Sequence, residues 1–265
     1  MHTTHFIAND ATPGLQTAYH DLAGGRDGSA PLLFVHGFTG SKLDFSDQLP
    51  WFAQDQRVLA YDQRGHGESS NIGTYTLYAL VADLFGFLDA LGVARCHVLG
   101  HSLGGMVVMR ALLANPDRFA SAILMDTSPY PLNLFTSEIR ERLASIVMEG
   151  GCQALLPGMQ GQPQNEAVKR GIDYLGEAEH WRRIRVKLEQ MDPAAFVELS
   201  ASLAEHAPVT DSLGQLELPV TVIVGAEDTP FIEPSERLVA KLPNARLARI
   251  DDAGHSPQYE NAGVW

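Results

Sequence analysis

The chain has 265 residues, of which 45% are hydrophobic, 19% charged and 8% aromatic, a composition that supports a sizeable buried core and excludes a disordered chain. Lys and Arg number 19 against 32 Asp and Glu, a formal net charge of −13. No basic stripe breaks that excess, which repels nucleic acid and anionic membranes. With only Cys96 and Cys152, neither a disulfide scaffold nor a multi-cysteine zinc site is possible.

Taken in chain order, the start Met1-His-Thr-Thr-His-Phe-Ile lacks the basic and apolar regions of a signal peptide. No apolar stretch approaches the roughly 20 residues of a membrane span. A cytoplasmic location is therefore expected. Residues 15–20 alternate as an exposed strand does, and Gly24-Gly25-Arg-Asp-Gly28 reads as a hairpin turn. Pro31-Leu-Leu-Phe-Val-His36 is a continuous apolar run, the pattern of a strand buried on both faces. Arg57-Val-Leu-Ala-Tyr-Asp62 and Cys96-His-Val-Leu-Gly100 repeat it. Between them Leu77, Leu80, Val81, Leu84, Phe85, Leu88 and Leu91 keep helical spacing, and Gly92 ends the helix.

Further strands are expected at Ser121-Ala-Ile-Leu-Met-Asp126, Val220-Thr-Val-Ile-Val-Gly225 and residues 245–250. Strand and helix alternating in this way predict an α/β protein whose mostly parallel sheet carries helices on both faces. The stretch from Pro129 to about Gly214 breaks the rhythm. It offers helical patterns at 137–148, 165–190 and 194–206 but no buried strand. This predicts a helical cap, residues 129–214, inserted into a core made of residues 1–128 and 215–265.

Gly100-His-Ser102-Leu-Gly104, followed by Gly105, matches the G-x-S-x-G pattern directly after a buried strand and before a helical run. A strand-to-helix turn that sharp leaves no room for side chains beside the serine, and it lifts the Ser102 hydroxyl out of the sheet. A hydroxyl is a poor nucleophile at neutral pH and needs a base and an orienting acid. His255, in Ala253-Gly-His255-Ser-Pro257, is the well-placed base, and Asp228, in the loop after the strand 220–225, is the acid candidate. Asp126 also ends a strand and competes for that role; Glu227 would point elsewhere, and Asp251 and Asp252 read as solvated. The order Ser, Asp, His is that of the α/β-hydrolase arrangement. His36-Gly-Phe38-Thr-Gly40 follows an earlier strand, so the backbone N–H groups of Phe38 and Leu103 are the expected oxyanion donors. His36 itself reads as holding that loop.

Four motifs in order, His36-Gly37-Phe38, Asp62-Gln-Arg-Gly65-His66-Gly67-Glu-Ser69, Gly100-His-Ser-Leu-Gly-Gly105 and Gly254-His255-Ser256-Pro257, resemble the α/β-hydrolase fold superfamily over nearly the whole chain. Among its branches the chain most resembles the compact, capped esterase, lactonase and epoxide-hydrolase-like members. The resemblance implies Ser102 as nucleophile, Asp228 as acid and His255 as base, with no cofactor and no metal. Epoxide hydrolases and haloalkane dehalogenases of the superfamily place Asp where Ser102 stands. The carbon–carbon hydrolases tend to have a longer glycine-rich oxyanion loop and Asn where His101 stands, which weakens that branch and leaves it open as an alternative. The menaquinone-pathway synthases, which eliminate pyruvate with the same triad, open as His36-Gly-Phe-Thr-Gly-Ser41 does here and stay open as an alternative.

A carboxylic ester or lactone is thus the expected substrate, with Phe38, Phe135 and Trp181 forming an apolar pocket. The basic run from Trp181 to Lys187 reads as a solvated face offset by Glu177 and Glu179, or more sharply as an attractor for an anionic substrate. Arg64 and His66 read as loop-fixing. His97 and His101 span a strand and its turn, so they diverge rather than bind zinc. The partner expected is a small-molecule substrate, with neither nucleic acid nor membrane, and the chain a monomer or homodimer. Only ten residues follow His255, fewer than the superfamily's closing helix, which would leave one apolar sheet face less covered and open to a dimer partner.

Overall fold

The computed structural model describes residues 2–25 and 29–265. In chain order the regular elements are β1 (His5–Ala8), β2 (Gln16–Gly25), β3 (Leu32–Val35), α1 (Leu49–Phe52), β4 (Gln56–Tyr61), α2 (Leu77–Ala90), β5 (Cys96–His101), α3 (Leu103–Ala114) and β6 (Phe119–Met125). Then come α4 (Ser137–Gly150), α5 (Leu156–Gly161), α6 (Glu166–Leu175), α7 (Glu177–Gln190), α8 (Pro193–Glu205), β7 (Val220–Gly225), α9 (Thr229–Lys241), β8 (Ala245–Ile250) and α10 (Pro257–Glu260). Among the described residues no helix is long and apolar enough to cross a membrane.

The strands form one sheet in the order β1-β2-β4-β3-β5-β6-β7-β8. From β4 to β8 every pairing is parallel, and β1 and β2 are antiparallel additions at one edge. Continuous apolar runs fill its middle, as both-face burial demands: all four residues of β3 are buried. The element β1 has no counterpart in the sequence reading, because four largely exposed residues carry no apolar period. Its pairing covers one edge of β2, and Tyr19 meets Phe87 of α2 edge-on at 5.3 Å. Thr17, Ala18, Tyr19 and His20 are therefore buried rather than exposed as predicted. Residues 26–28 of the predicted hairpin turn lie outside the described residues. That connection is not a hairpin in any case, since β2 pairs with β1 and β4, not with β3.

Two apolar clusters flank the sheet. The larger gathers α2, α3 and buried residues of the helical segment. Every residue from Leu103 to Leu112 is buried, so α3 is apolar on nearly every side, as an enclosed helix must be, and its one charged residue, Arg110, is hydrogen-bonded to the Met106 and Ala207 carbonyls. The smaller cluster lies on the opposite face around Phe34, Phe45, Leu49 and Ile250. The chain's own Trp265 turns back onto it, its indole Nε1–H pointing to Met125 Sδ at 3.0 Å and its ring 6.0 Å from Phe52. The face expected to be bare is thus partly covered from within.

Helices α4 to α8 lie between β6 and β7. The predicted single helix over 165–190 is two, because Gly176 takes φ 81° and turns the chain between α6 and α7. Three of these five helices start on a side-chain cap. Thr136, Asn165 and Asp192 accept backbone N–H bonds at the starts of α4, α6 and α8. The segment is tied to loops at the C-terminal ends of the strands. Asp192 donates its N–H to Gly65 O (2.9 Å), Tyr75 N–H donates to Glu198 (2.8 Å), and Lys187 and Arg183 pair with Asp44 and Asp47 (2.6 Å each).

Candidate active site

Ser102 sits between β5 and α3 at φ 52°, ψ −118°, a conformation that costs a non-glycine residue on the order of 1–3 kcal/mol. The flanking glycines allow it. A Cβ at Gly104 would stand 2.2 Å from Val35 O, and one at Gly100 would stand 2.6 Å from Gly104 O. Strand end and helix start pack backbone against backbone. Ser102 N–H bonds to Met125 O (2.9 Å), and Thr127 Oγ donates to Ser102 O (2.6 Å). Leu103 is the first residue of α3, so its N–H belongs to the turn that has no partner within the helix.

Asp228 follows β7 and is 7% exposed; His255 follows β8, its side chain 41% exposed. Their Nδ1 and Oδ2 atoms lie 2.7 Å apart. With Nδ1–H donating to the carboxylate, Nε2 keeps its lone pair, the form a general base requires. Three groups hold this histidine's surroundings. Glu260 accepts the N–H bonds of both Gly254 (2.6 Å) and Ser256 (3.2 Å), clamping the loop on either side of His255. His101 Nε2–H donates to the His255 carbonyl (2.7 Å), and the Phe231 ring lies 4.7 Å from the imidazole. Sequence reasoning passed over Glu260 and the contact from His101. The only sequence signal for Glu260 is its place five residues past His255, on a turn opened by Pro257.

The loop after β3 is held as expected. Gln63 N–H donates to His36 Nε2 (3.0 Å), so Nδ1 carries the proton and donates to Gly37 O (2.8 Å). Gly40 N–H bonds back to Gly37 O (3.1 Å), closing a turn with Phe38 and Thr39 at its centre. A Cβ on Gly40 would meet Asp44 Oδ2 at 2.4 Å. Beyond it, Ser41 and Asp44 cap each other's backbone N–H groups. Arg64 forms a bidentate pair with Asp83, and His66 bonds to Arg64 O (3.1 Å). Both fix loops, as read from the sequence.

Asp126 ends β6, fully buried and at φ 44°. Its Oδ1 accepts Gly225 N–H at 2.9 Å. Burial and the neighbouring Asp228 push its carboxyl well above the usual carboxylate range, which favours a proton on Asp126. Asp126, Asp228 and His255 present ligand atoms within 4.8 Å of one another. A cation there would have to split the Asp228–His255 bond and strip the Asp126 proton, so the donor set fits a proton-sharing cluster better than a metal. Glu227 pairs with Arg170 of α6 at 2.5 Å, while Asp251 and Asp252 are exposed. His97 bonds to Ser121 Oγ (2.7 Å), away from His101.

Ser102, His255, Phe38, Gly40, His101 and Lys187 face one cavity of about 190 Å³. A narrower apolar groove of about 30 Å³ adjoins it through Phe38 and is lined by Leu132, Leu134, Phe135, Leu143 and Phe196. Phe135, 49% exposed, stands at its rim. Trp181 lines neither cavity. It packs against the larger core cluster and lies edge-on to His180. The basic run is offset as its plainer reading expected, but by different acids: Arg182 and Arg183 by Glu179, Arg183 also by Asp47, and Lys187 by Asp44.

Burial holds His36 at about 4 and His66 and His101 at about 3, all below the ordinary value near 6.5. The unfolded chain protonates these rings at a pH where the folded protein does not. Their contribution to stability is present above pH 6.5 and is lost as pH falls toward the folded values. Between pH 7.5 and 5.5 each should withdraw about 1.4 kcal/mol. Asp126 acts in the opposite sense, since the folded state keeps a proton there that the unfolded state releases. The substitution Asp126→Asn removes that opposing contribution, so the urea midpoint of the variant is expected to drop relative to the wild type as pH falls from 7.5 to 5.5. A difference between the two midpoints that does not change with pH would contradict the assignment of Asp126.

Comparison with known proteins agrees with this fold. A family model described as the alpha/beta hydrolase family matches residues 32–265. A thermophilic esterase from Thermogutta terrifontis is 30% identical, with TM-score 0.82 over 98% of this chain and 94% of that one. The enol-lactonase from Burkholderia xenovorans LB400 shares the fold at TM-score 0.81 and 23% identity, covering 98% and 95%. A non-heme haloperoxidase from Rhodococcus erythropolis is 28% identical over 266 residues, 95% of this chain and 93% of its own.

Proposed function

The chain belongs to the alpha/beta hydrolase family, and from that premise we propose that it is a serine hydrolase that cleaves a carboxylic ester or lactone through an acyl-enzyme. The observation that carries this reading is the 2.7 Å Asp228–His255 bond at the cavity into which the strained Ser102 elbow opens. Ser102 Oγ gives its proton to His255 Nε2 and bonds to the carbonyl carbon. The carbonyl oxygen, now an oxyanion, takes hydrogen bonds from the backbone N–H groups of Phe38 and Leu103. The C–O bond to the alcohol then breaks, and His255 hands the leaving oxygen its proton. Water, deprotonated by the same imidazole, releases the acid and restores the serine. Asp228 keeps the imidazole in its productive tautomer and balances its charge. Similarity to the Thermogutta esterase over nearly the full chain supports this assignment.

The alternative, a synthase of the menaquinone type, calls for cations free to hold several substrate carboxylates. Lys187, on the cavity wall, is already paired with Asp44, and Arg140, in the adjoining groove, with Glu205 and the Phe135 carbonyl. Intact-protein mass after exposure to a fluorophosphonate tests the proposal. One adduct per chain is expected, together with turnover of short-chain esters or lactones. A folded protein that takes up no adduct would refute it.

A further inference from the structure

The cavity beside Ser102 and the apolar groove next to it have one lining residue in common, Phe38. Its ring lies 5.0 Å from that of Phe196 on α8, the two planes tilted by 38°. Phe196, 5% exposed, lines the groove but not the cavity, so the two rings stand between one space and the other. The loop after β4 fixes where Phe196 lies. Gly65 in that loop has φ 74°, and a Cβ on it would stand 2.4 Å from Ala195 Cβ, so the first turn of α8 rests directly on its backbone. Asp192 N–H bonds to Gly65 O (2.9 Å), and the Asp192 carboxylate accepts the Tyr75 hydroxyl at 2.5 Å. Phe196 N–H in turn bonds to Asp192 O (3.0 Å). Although Phe196 belongs to the inserted helices, its helix start is thus pinned to the core.

Ester cleavage at Ser102 decides which part of the substrate faces these rings. An oxyanion held by the Phe38 N–H sets the carbonyl carbon beside that residue. The leaving oxygen takes its proton from His255 Nε2, so the alcohol lies toward the loop after β8, where Ser256, Gln258 and Tyr259 line the cavity. The acyl substituent takes the remaining direction, away from His255. Passing Phe38 leads away from that loop, because the groove is walled instead by the segment after β6 and by α4 and α8, through Leu132, Leu143 and Phe196. The cavity of about 190 Å³ has to hold the alcohol as well, so a longer acyl chain must pass the two rings. Resting on the ester-hydrolase reading, we infer that Phe196 is the specificity-determining residue for the acyl group. With Phe38 it closes the cavity on the acyl side, the substrate is an ester of an acid about the size of acetate, and the groove becomes usable by a longer chain only when the Phe196 ring is removed.

Methyl acetate, methyl butyrate and methyl hexanoate share their alcohol and lengthen only the acyl chain. One methylene in an enclosed pocket is worth about tenfold or more in discrimination, so wild-type kcat/KM is expected to fall by about tenfold or more from acetate to hexanoate. Phe196→Ala should raise the hexanoate-to-acetate ratio by about tenfold. Phe196→Leu, which keeps more of the core filled, should raise it less and in the same direction. Ala204→Phe added to Phe196→Ala refills the groove and should cancel the gain. Fluorophosphonate labelling reports in each variant that fold and triad survive. A wild-type protein that labels at Ser102 and favours hexanoate over acetate would overturn the inference and leave the hydrolase reading standing. Phe196 variants that label but keep the wild-type ratio would do the same. Failure of the wild type to label and to turn over any ester would overturn the hydrolase reading, and the inference with it.

Discussion

Replacing Ser102 by alanine is expected to lower kcat on any cleavable ester by about 10⁶-fold, the scale at which loss of a serine nucleophile disables its whole triad. The fluorophosphonate adduct should vanish with it, which ties both readouts to one oxygen. Stability should move little, because alanine inherits the same φ of 52° and loses only a hydroxyl at the cavity wall. Ser102→Gly separates backbone from chemistry. Glycine adopts that conformation without the Cβ penalty, so its urea midpoint should rise, with a gain of about 1–2 kcal/mol, while activity is lost equally. A Ser102→Ala protein that keeps a tenth of wild-type turnover would show that another group attacks the substrate.

The elbow announces itself in the sequence because its constraints are local. Gly100 and Gly104 are small for reasons that lie within four residues and one neighbouring strand, so the pattern survives being read as a string. The central strands are legible for a similar reason, since burial on both faces leaves uninterrupted apolar runs. The parts that escaped depend on distance along the chain. Lys187 meets Asp44 across 143 residues, and nothing in a basic run on a helix reveals which acid it faces. The position of Trp181 depends on how α7 rolls against its neighbours, which an amphipathic pattern leaves open once the helix is enclosed by other inserted helices. The strand β1 is recruited by the edge of β2 rather than by its own composition, and Gly176 splits a helix whose flanking residues keep helical spacing.

Asn in place of Asp228 is expected to lower kcat by about 10⁴-fold, since an amide at that position favours the wrong imidazole tautomer and cannot balance the imidazolium. Asn at position 126 should cost less than tenfold. The two residues end adjacent parallel strands or their loops, and their carboxyl groups belong to the same cluster. Sequence order alone therefore cannot choose between them, but their surroundings do. Asp228 is the one bonded to His255 Nδ1, whereas Asp126 lies fully buried, with its Oδ1 receiving Gly225 N–H and its carboxyl held protonated by burial and by the charge of Asp228. Asparagine is close in shape to a protonated aspartic acid and still offers a donor, so the substitution preserves what the neutral acid supplies. Two carboxylates this close disfavour double ionisation, and burial places the proton on Asp126. The paired measurement of kcat for the two variants reads this division directly. If Asp126→Asn were the damaging change and Asp228→Asn the mild one, the charged partner of His255 would be Asp126, and the hydrogen bond at 2.7 Å would have to re-form on the other side of the cluster.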